Sequence, residues 1–188
     1  MAEQEMDKVS IEKALEGKGD FVKMDYLQKF LSKAKSLEMR KFILLKLCDI
    51  YESKGMLNEA ARMCDAASHI SLKDSEKIAL HVRETGLYIK SGSFEHGDLA
   101  FKKALSFATE KEKVDIKKSL KDFYFKQGDA FEKSQRRSNA IKLYEKMQTI
   151  PLEEVEKSQV KERLMNLYEK TGRLKDYFAM KGKSNSNY

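Results

Sequence analysis

One short pattern recurs through this chain of 188 residues. "YESKG" begins at Tyr51, "YIKSG" at Tyr88, "YFKQG" at Tyr124 and "YEKTG" at Tyr168, with a weaker copy, "LEGKG", at Leu15. In every copy an apolar or aromatic residue precedes a glycine by four, and a Leu or Phe follows that glycine by two or three. The anchors lie 36, 37, 36 and 44 residues apart. A recurring unit of this length is one supersecondary element that cannot cover its own apolar face, so the chain must stack such units on one another.

The physics of one unit is readable. An amphipathic helix such as "RKFILLKLCDIYESK" runs into the glycine, which ends it because a left-handed conformation costs glycine little. A second helix follows, such as "LNEAARMCDAASHI", whose small inner residues Ala60, Ala61 and Ala67 permit close approach. Gly97, Phe101 and Ala104 repeat this chemistry, as do Ala140, Tyr144 and Met147. The only proline, Pro151, leaves long helices unbroken. Helices are predicted over 3–17, 20–34, 37–54, 57–70, 73–91, 94–108, 110–127, 130–149, 152–171 and 174–181. They pair into hairpins over 3–35, 37–71, 73–109, 110–150 and 152–181, a single domain over 1–181 with a disordered tail, 182–188. "TEKE" at Thr109 reads as a capping box, and "IPLEE" places Pro151 at a helix start. About seven extra residues separate Gly128 from Ala140, close to two helical turns. They lengthen the second helix of that unit or form a longer loop capped by Ser138.

The pattern resembles the tetratricopeptide repeat family. Tyr51, Gly55, Ala60, Cys64 and Ala67 carry the resemblance in one unit; Tyr88, Gly92, Gly97, Phe101 and Ala104 carry it in the next. Tyr124, Gly128, Ala140, Tyr144 and Met147 follow, with the insertion between. The likeness runs from about Leu15 to Gly182. Its period exceeds the family's usual 34 residues. Cys64 stands where an aromatic is usual, Gly97 and Tyr177 replace the small alanine, and Glu84 and Lys121 fall at normally apolar or small positions. A looser solenoid, as in vesicle-fusion adaptors or proteasome-lid subunits, is also compatible.

The resemblance implies an all-α, right-handed α-solenoid of about five antiparallel hairpins. It also implies a concave groove, lined by the first helices, that holds a peptide or helix of a partner protein. Carried across by unit, the groove sites are Phe42, Leu45, Asp49 and Ser53, then Ala79, Val82, Gly86, Ile89 and Lys90. Next come Lys118, Asp122, Phe125 and Lys126, then Gln159, Glu162, Asn166 and Lys170. Phe42, Val82, Ile89 and Phe125 would supply contact area, and Lys90 and Lys126 would orient an acidic partner. Asn166 has no matching basic-and-Asn constellation, which argues against the carboxylate grip of chaperone-binding members. "LMNLYEKTGRLKDYFAM" is similar to a unit of the pentatricopeptide RNA binders, but the 44-residue gap and varied lining do not suit a one-base code.

Charge offers a second reading. The net charge is +7, and residues 101–140 carry eleven Lys or Arg against six acids. Lys102, Lys103, Lys117, Lys121, Lys133, Arg136 and Arg137 form this basic band, and the last residues add four bases against one acid. Such a band suits RNA, an acidic protein or an anionic membrane surface, although a solvated face is the commoner meaning of a charge block. The polar, acidic start "MAEQEMDKVS" is unlike a signal peptide, and no run of about 18 apolar residues exists. A cytoplasmic protein with Cys48 and Cys64 reduced and closely packed is expected. His69, His81 and His96 are scattered, with His81 read as structural. No phosphate loop, nucleophile–base pair or zinc spacing appears, so no enzyme activity, cofactor or metal is expected. The short last helix, "LKDYFAM", leaves an apolar face that a second copy could cover.

Overall fold

The computed structural model describes residues 7–182. Among them lie ten helices and no strand: α1 (Lys8–Leu15), α2 (Asp20–Lys33), α3 (Leu37–Ser53), α4 (Leu57–His69) and α5 (Asp74–Ser91), then α6 (Phe94–Phe107), α7 (Glu110–Lys133), α8 (Arg137–Met147), α9 (Glu154–Lys170) and α10 (Leu174–Gly182). Residues 3–6 of the first predicted helix and 183–188 of the predicted tail lie outside the described residues. None of these helices is long and apolar enough to cross a membrane. The chain divides into two compact units, one ending at Leu120 and the other beginning at Lys121, inside α7.

In the first unit, α3, α4, α5 and α6 pack in succession. Ile43, Leu47, Cys48 and Tyr51 of α3 meet Ala60, Ala61 and Cys64 of α4, and Leu87, Tyr88 and Ala100 continue the same core. The small residues of α4 and α6 are fully buried, as their close approach requires. The predicted capping box opens α7, where the Thr109 N–H donates to Glu112 Oε2 at 2.9 Å. In the second unit Ala140, Ile141, Leu143, Tyr144 and Met147 of α8 bury against a core that includes Val160, Leu164, Leu167 and Tyr168 of α9. α9 starts three residues beyond Pro151, behind its own capping box of Glu153 and Glu156.

Four hairpins close in one way. Gly55, Gly92, Gln135 and Gly172 take the left-handed conformation, with φ of 72°, 84°, 55° and 70°. The residue after each donates its N–H to the carbonyl five positions back: Met56 to Tyr51, Ser93 to Tyr88, Arg136 to Phe131 and Arg173 to Tyr168, all at 2.8–2.9 Å. This double closure satisfies carbonyls that the helix end would otherwise leave open.

The third closure corrects the sequence reading. Gly128 is no turn; it lies inside α7, and Phe131 rather than Tyr124 is the anchor. The extra seven residues lengthen the first helix of that hairpin, not the second, and Ser138 lies inside α8 instead of capping a loop. With Phe131 as anchor the spacing becomes 37, 43 and 37. The small residue of the second helix then falls five positions after the first three closures, at Ala60, Gly97 and Ala140, and Tyr177 takes that place after the fourth. A smaller correction applies near the start, where Gly17 (φ 68°) is left-handed and Gly19 is the extended N-cap of α2.

Gly128 has a different task. A Cβ built there would stand 2.4 Å from the Tyr144 hydroxyl and 2.6 Å from its ring. Tyr144 is fully buried, and its hydroxyl donates to Glu132 Oε1 at 2.6 Å and accepts from Arg163 at 2.7 Å, so it has no room to retreat. Counted from the closures, Gly128 and Tyr144 match Cys48 and Cys64, seven before and nine after. Those sulfurs lie 3.2 Å apart, both fully buried. One hairpin fills this contact with two residues of middle size, the other with the smallest residue and a large one.

Two predictions follow the backbone and this contact. Gln135→Gly removes the left-handed penalty of a side-chain-bearing residue and should raise stability by about 1 kcal/mol in urea unfolding; unchanged stability would mean no strain is held there. Gly128→Cys alone should destabilise by about 1–3 kcal/mol. Added Tyr144→Cys should recover part of that, giving a favourable coupling of about 1 kcal/mol in a double-mutant cycle. Purely additive losses would refute the shared contact.

Candidate functional site

The exposed sides of α3 and α5 carry most of the groove residues predicted for the first unit. Counting back from the closure, Phe42 and Ala79 share position thirteen, Leu45 and Val82 position ten, Asp49 and Gly86 position six, and Ser53 and Lys90 position two. Phe42, Leu45 and Val82 are half-buried, while Ala79, Asp49, Ser53 and Lys90 are exposed. The Lys8 and Lys46 ammonium groups stand 5.8 and 5.4 Å from the Phe42 ring centroid. Ile89 is misplaced in the prediction. It is 1% exposed and lies against the α5–α6 approach, 3.6 Å from where a Gly97 Cβ would be, so it offers no surface.

In α9, Gln159, Glu162, Asn166 and Lys170 hold the same four positions and are exposed. In α7 the displaced closure moves the register by two turns. Asp122, Phe125, Asp129 and Lys133 are the matching set, and Lys118 and Lys126 are not in it, although both are exposed.

Ion pairs fix these helices side by side, and the same pairs occur twice. Lys41 donates to Glu76 at 2.8 Å, joining α3 to α5, and Lys121 donates to Glu156 at 2.8 Å, joining α7 to α9. Arg83 reaches back to Asp49 at 2.7 Å and Glu52 at 3.0 Å. Arg163 reaches Asp129 and, at 3.1 Å, Glu132. Relative to their closures, all five charged residues and their five counterparts occupy identical positions. One planar guanidinium binding two carboxylates is the geometry arginine favours. In α5 the two acid positions are Gly86 and Ile89, so that helix has no such clasp to offer.

The basic band divides. Lys103 is committed to Asp65 at 2.7 Å and Lys121 to Glu156. Lys102, Lys117, Lys133, Arg136 and Arg137 are exposed. At the other end of the chain, Leu174 and Phe178 of α10 are 55% and 61% exposed, and no residue of that helix is buried.

Sequence reasoning missed a polar cluster between α4, α5 and α6. A cleft of about 500 Å³ is lined there by Asp65, Glu84, Tyr88, His96, Leu99 and Lys102, among others. At its inner end His81 Nδ1 and Glu84 Oε2 are 2.8 Å apart, both side chains almost fully buried. The His81 ring stacks parallel to Phe107 at 6.0 Å, and its carbonyl accepts from Thr85 Oγ1. Asp65 brings a third ligand-type atom, and the three atoms lie within 4.8 Å of one another. The available signal was Glu84 itself, a charge at an apolar position of the repeat.

No protein-family model matches the chain, and no curated protein matches it. Among solved structures it is similar to the crystal structure of BtubC (BKLC) from P. vanneervenii, at 14% identity over 96% of this chain and 80% of that one, with a TM-score of 0.40.

The α7–α9 pair predicts a pH dependence. Partial burial pushes the Glu156 carboxyl up, but hydrogen bonds from Lys121 and the Glu153 backbone N–H outweigh it and hold the group below its ordinary value. Its contribution is therefore complete above the unfolded value, about 4.3, and fades as pH falls through the lower folded value. Glu156→Gln should lower the thermal midpoint at pH 7, and the two proteins should converge on acidification. Curves that stay parallel down to pH 2 would show that the pair contributes nothing through this carboxylate.

Proposed function

We propose that this chain is a non-enzymatic helical-repeat scaffold that binds a peptide or helix of a partner protein across the exposed faces of α3 and α5. The observation that carries this reading is the half-buried apolar row Phe42, Leu45 and Val82, set between helices already locked by the Arg83 and Lys41 ion pairs. A face fixed before binding loses little entropy when a partner docks. The partner segment has apolar side chains to cover this row and an acid to compete with Glu52, 3.5 Å away, for Lys90 at its edge. The likeness of the repeat to tetratricopeptide hairpins, whose first helices line a partner groove, points the same way, as an analogy of fold.

The RNA reading has less support, because two of its seven cations are spent on internal carboxylates. Leu45→Glu combined with Val82→Glu should leave the helical circular dichroism intact and reduce capture of a specific protein partner at least tenfold. Arg136→Glu with Arg137→Glu should leave capture unchanged. Partner capture that survives the first pair and is lost with the second would overturn the groove reading. RNA retention with a steep salt dependence would then replace it.

A further inference from the structure

Counted from its closure, Glu84 sits eight residues back. The same position holds Leu47 in α3, 1% exposed, and Leu164 in α9, 0% exposed. Glu84 is itself 3% exposed. His81, eleven back, stands where α3 buries Leu44. The first unit has thus replaced two core leucines with a carboxylate and an imidazole. Such groups weaken a core unless a partner of opposite charge or a ligand satisfies them. Hairpin packing does not call for them, since the matching residues around α8 and α9 are Glu145, Lys161 and Leu164, a set that lacks the imidazole and the second carboxylate.

The geometry points to a divalent transition-metal site formed by Asp65, His81 and Glu84 and reached from the cleft between α4, α5 and α6. His81 Nδ1 and Glu84 Oε2 are 2.8 Å apart and need to open only to about 3.4 Å to become neighbouring ligands on a tetrahedral ion with bonds of about 2.0–2.2 Å. The Asp65 carboxylate lies within 4.8 Å of both, a small side-chain adjustment from a third bond. One imidazole with two carboxylates suits zinc, cobalt or manganese better than calcium or magnesium, which take oxygen ligands. The Lys103 ammonium, 2.7 Å from Asp65 Oδ1, is a built-in cation that an incoming ion must displace. The Phe107 stack holds the imidazole plane, as outer contacts do for metal-bound histidines. Binding through Nδ1 requires that nitrogen to be free of its proton, which the neutral imidazole then carries on Nε2.

The test uses the full chain, stripped with a chelator and titrated with zinc by calorimetry and with cobalt by visible absorption. One ion should bind per chain, with a rise in thermal midpoint. Glu84→Leu, which restores the residue used at this position in α3 and α9, should fold, and should weaken zinc binding at least tenfold. His81→Gln should do the same, and Lys103→Met should tighten binding by freeing Asp65. Asp25→Asn and Glu110→Gln, which alter exposed carboxylates elsewhere in the chain, should leave affinity within about twofold, which separates the cluster from adventitious surface binding. No saturable binding below about millimolar zinc would overturn the inference. So would a single site that survives both Glu84→Leu and His81→Gln, or that is lost with Asp25→Asn or Glu110→Gln.

Discussion

A single backbone conformation, the left-handed residue that closes each hairpin, sets where everything else falls. Once Gly55, Gly92, Gln135 and Gly172 are fixed, the anchor four residues before each carbonyl-capped turn is fixed too. After the first three closures the buried small residue of the following helix comes five positions later, and the arginine of each clasp lies nine positions before its own closure. A helix turns about 100° per residue, so an error of one position in the closure would carry Tyr144 or Arg163 a quarter-turn out of contact. The turn is a local device, yet it places side chains that meet partners more than thirty residues away.

Two kinds of contact then use that placement. One is steric: Cys48 with Cys64, and Gly128 with Tyr144, fill the same space with different shares of volume. The other is electrostatic: Arg83 and Arg163 each gather an aspartate and a glutamate from the preceding first helix. They meet at one place in the second unit, where the Tyr144 hydroxyl joins Arg163 and Glu132. In the first unit Cys64 replaces that tyrosine, and the hydrogen bond with the neighbouring Cys48 sulfur together with burial pushes its thiol well up, so it stays protonated there. The clasp in that unit is made by charged groups alone.

Much of this was legible beforehand, and the failures have physical causes. α2 to α6, α9 and α10 follow from apolar periodicity and glycine, because both signals are local. The boundary between α7 and α8 did not follow, because Gly128 fits the turn pattern as well as Gly55 does, while Gln135 carries no mark of a left-handed residue. Ala140 held the missing clue, since counting five back from it reaches Gln135. Ile89 looked like a groove residue because a heptad-like count cannot tell the outer face from the side facing α6. The clasp and the Asp65–His81–Glu84 cluster depend on contacts between helices. There the sequence offered only Glu84 as an anomaly and Asp65 as nothing unusual.

The reach of the clasps along the chain bears on how the protein folds. The ion pairs that tie one first helix to the next span 31 to 38 residues, and the Lys103–Asp65 pair between second helices also spans 38. Each such bond needs only the next hairpin to have been synthesised. Loops of this size close at modest entropic cost, and chains dominated by near-neighbour contacts fold quickly. A hairpin leaving the ribosome can therefore dock on its predecessor without waiting for the C-terminus. Loss of one clasp would loosen a junction within its own unit first, so the stability of each unit is better described by its couplings between neighbouring helices than by one number for the chain.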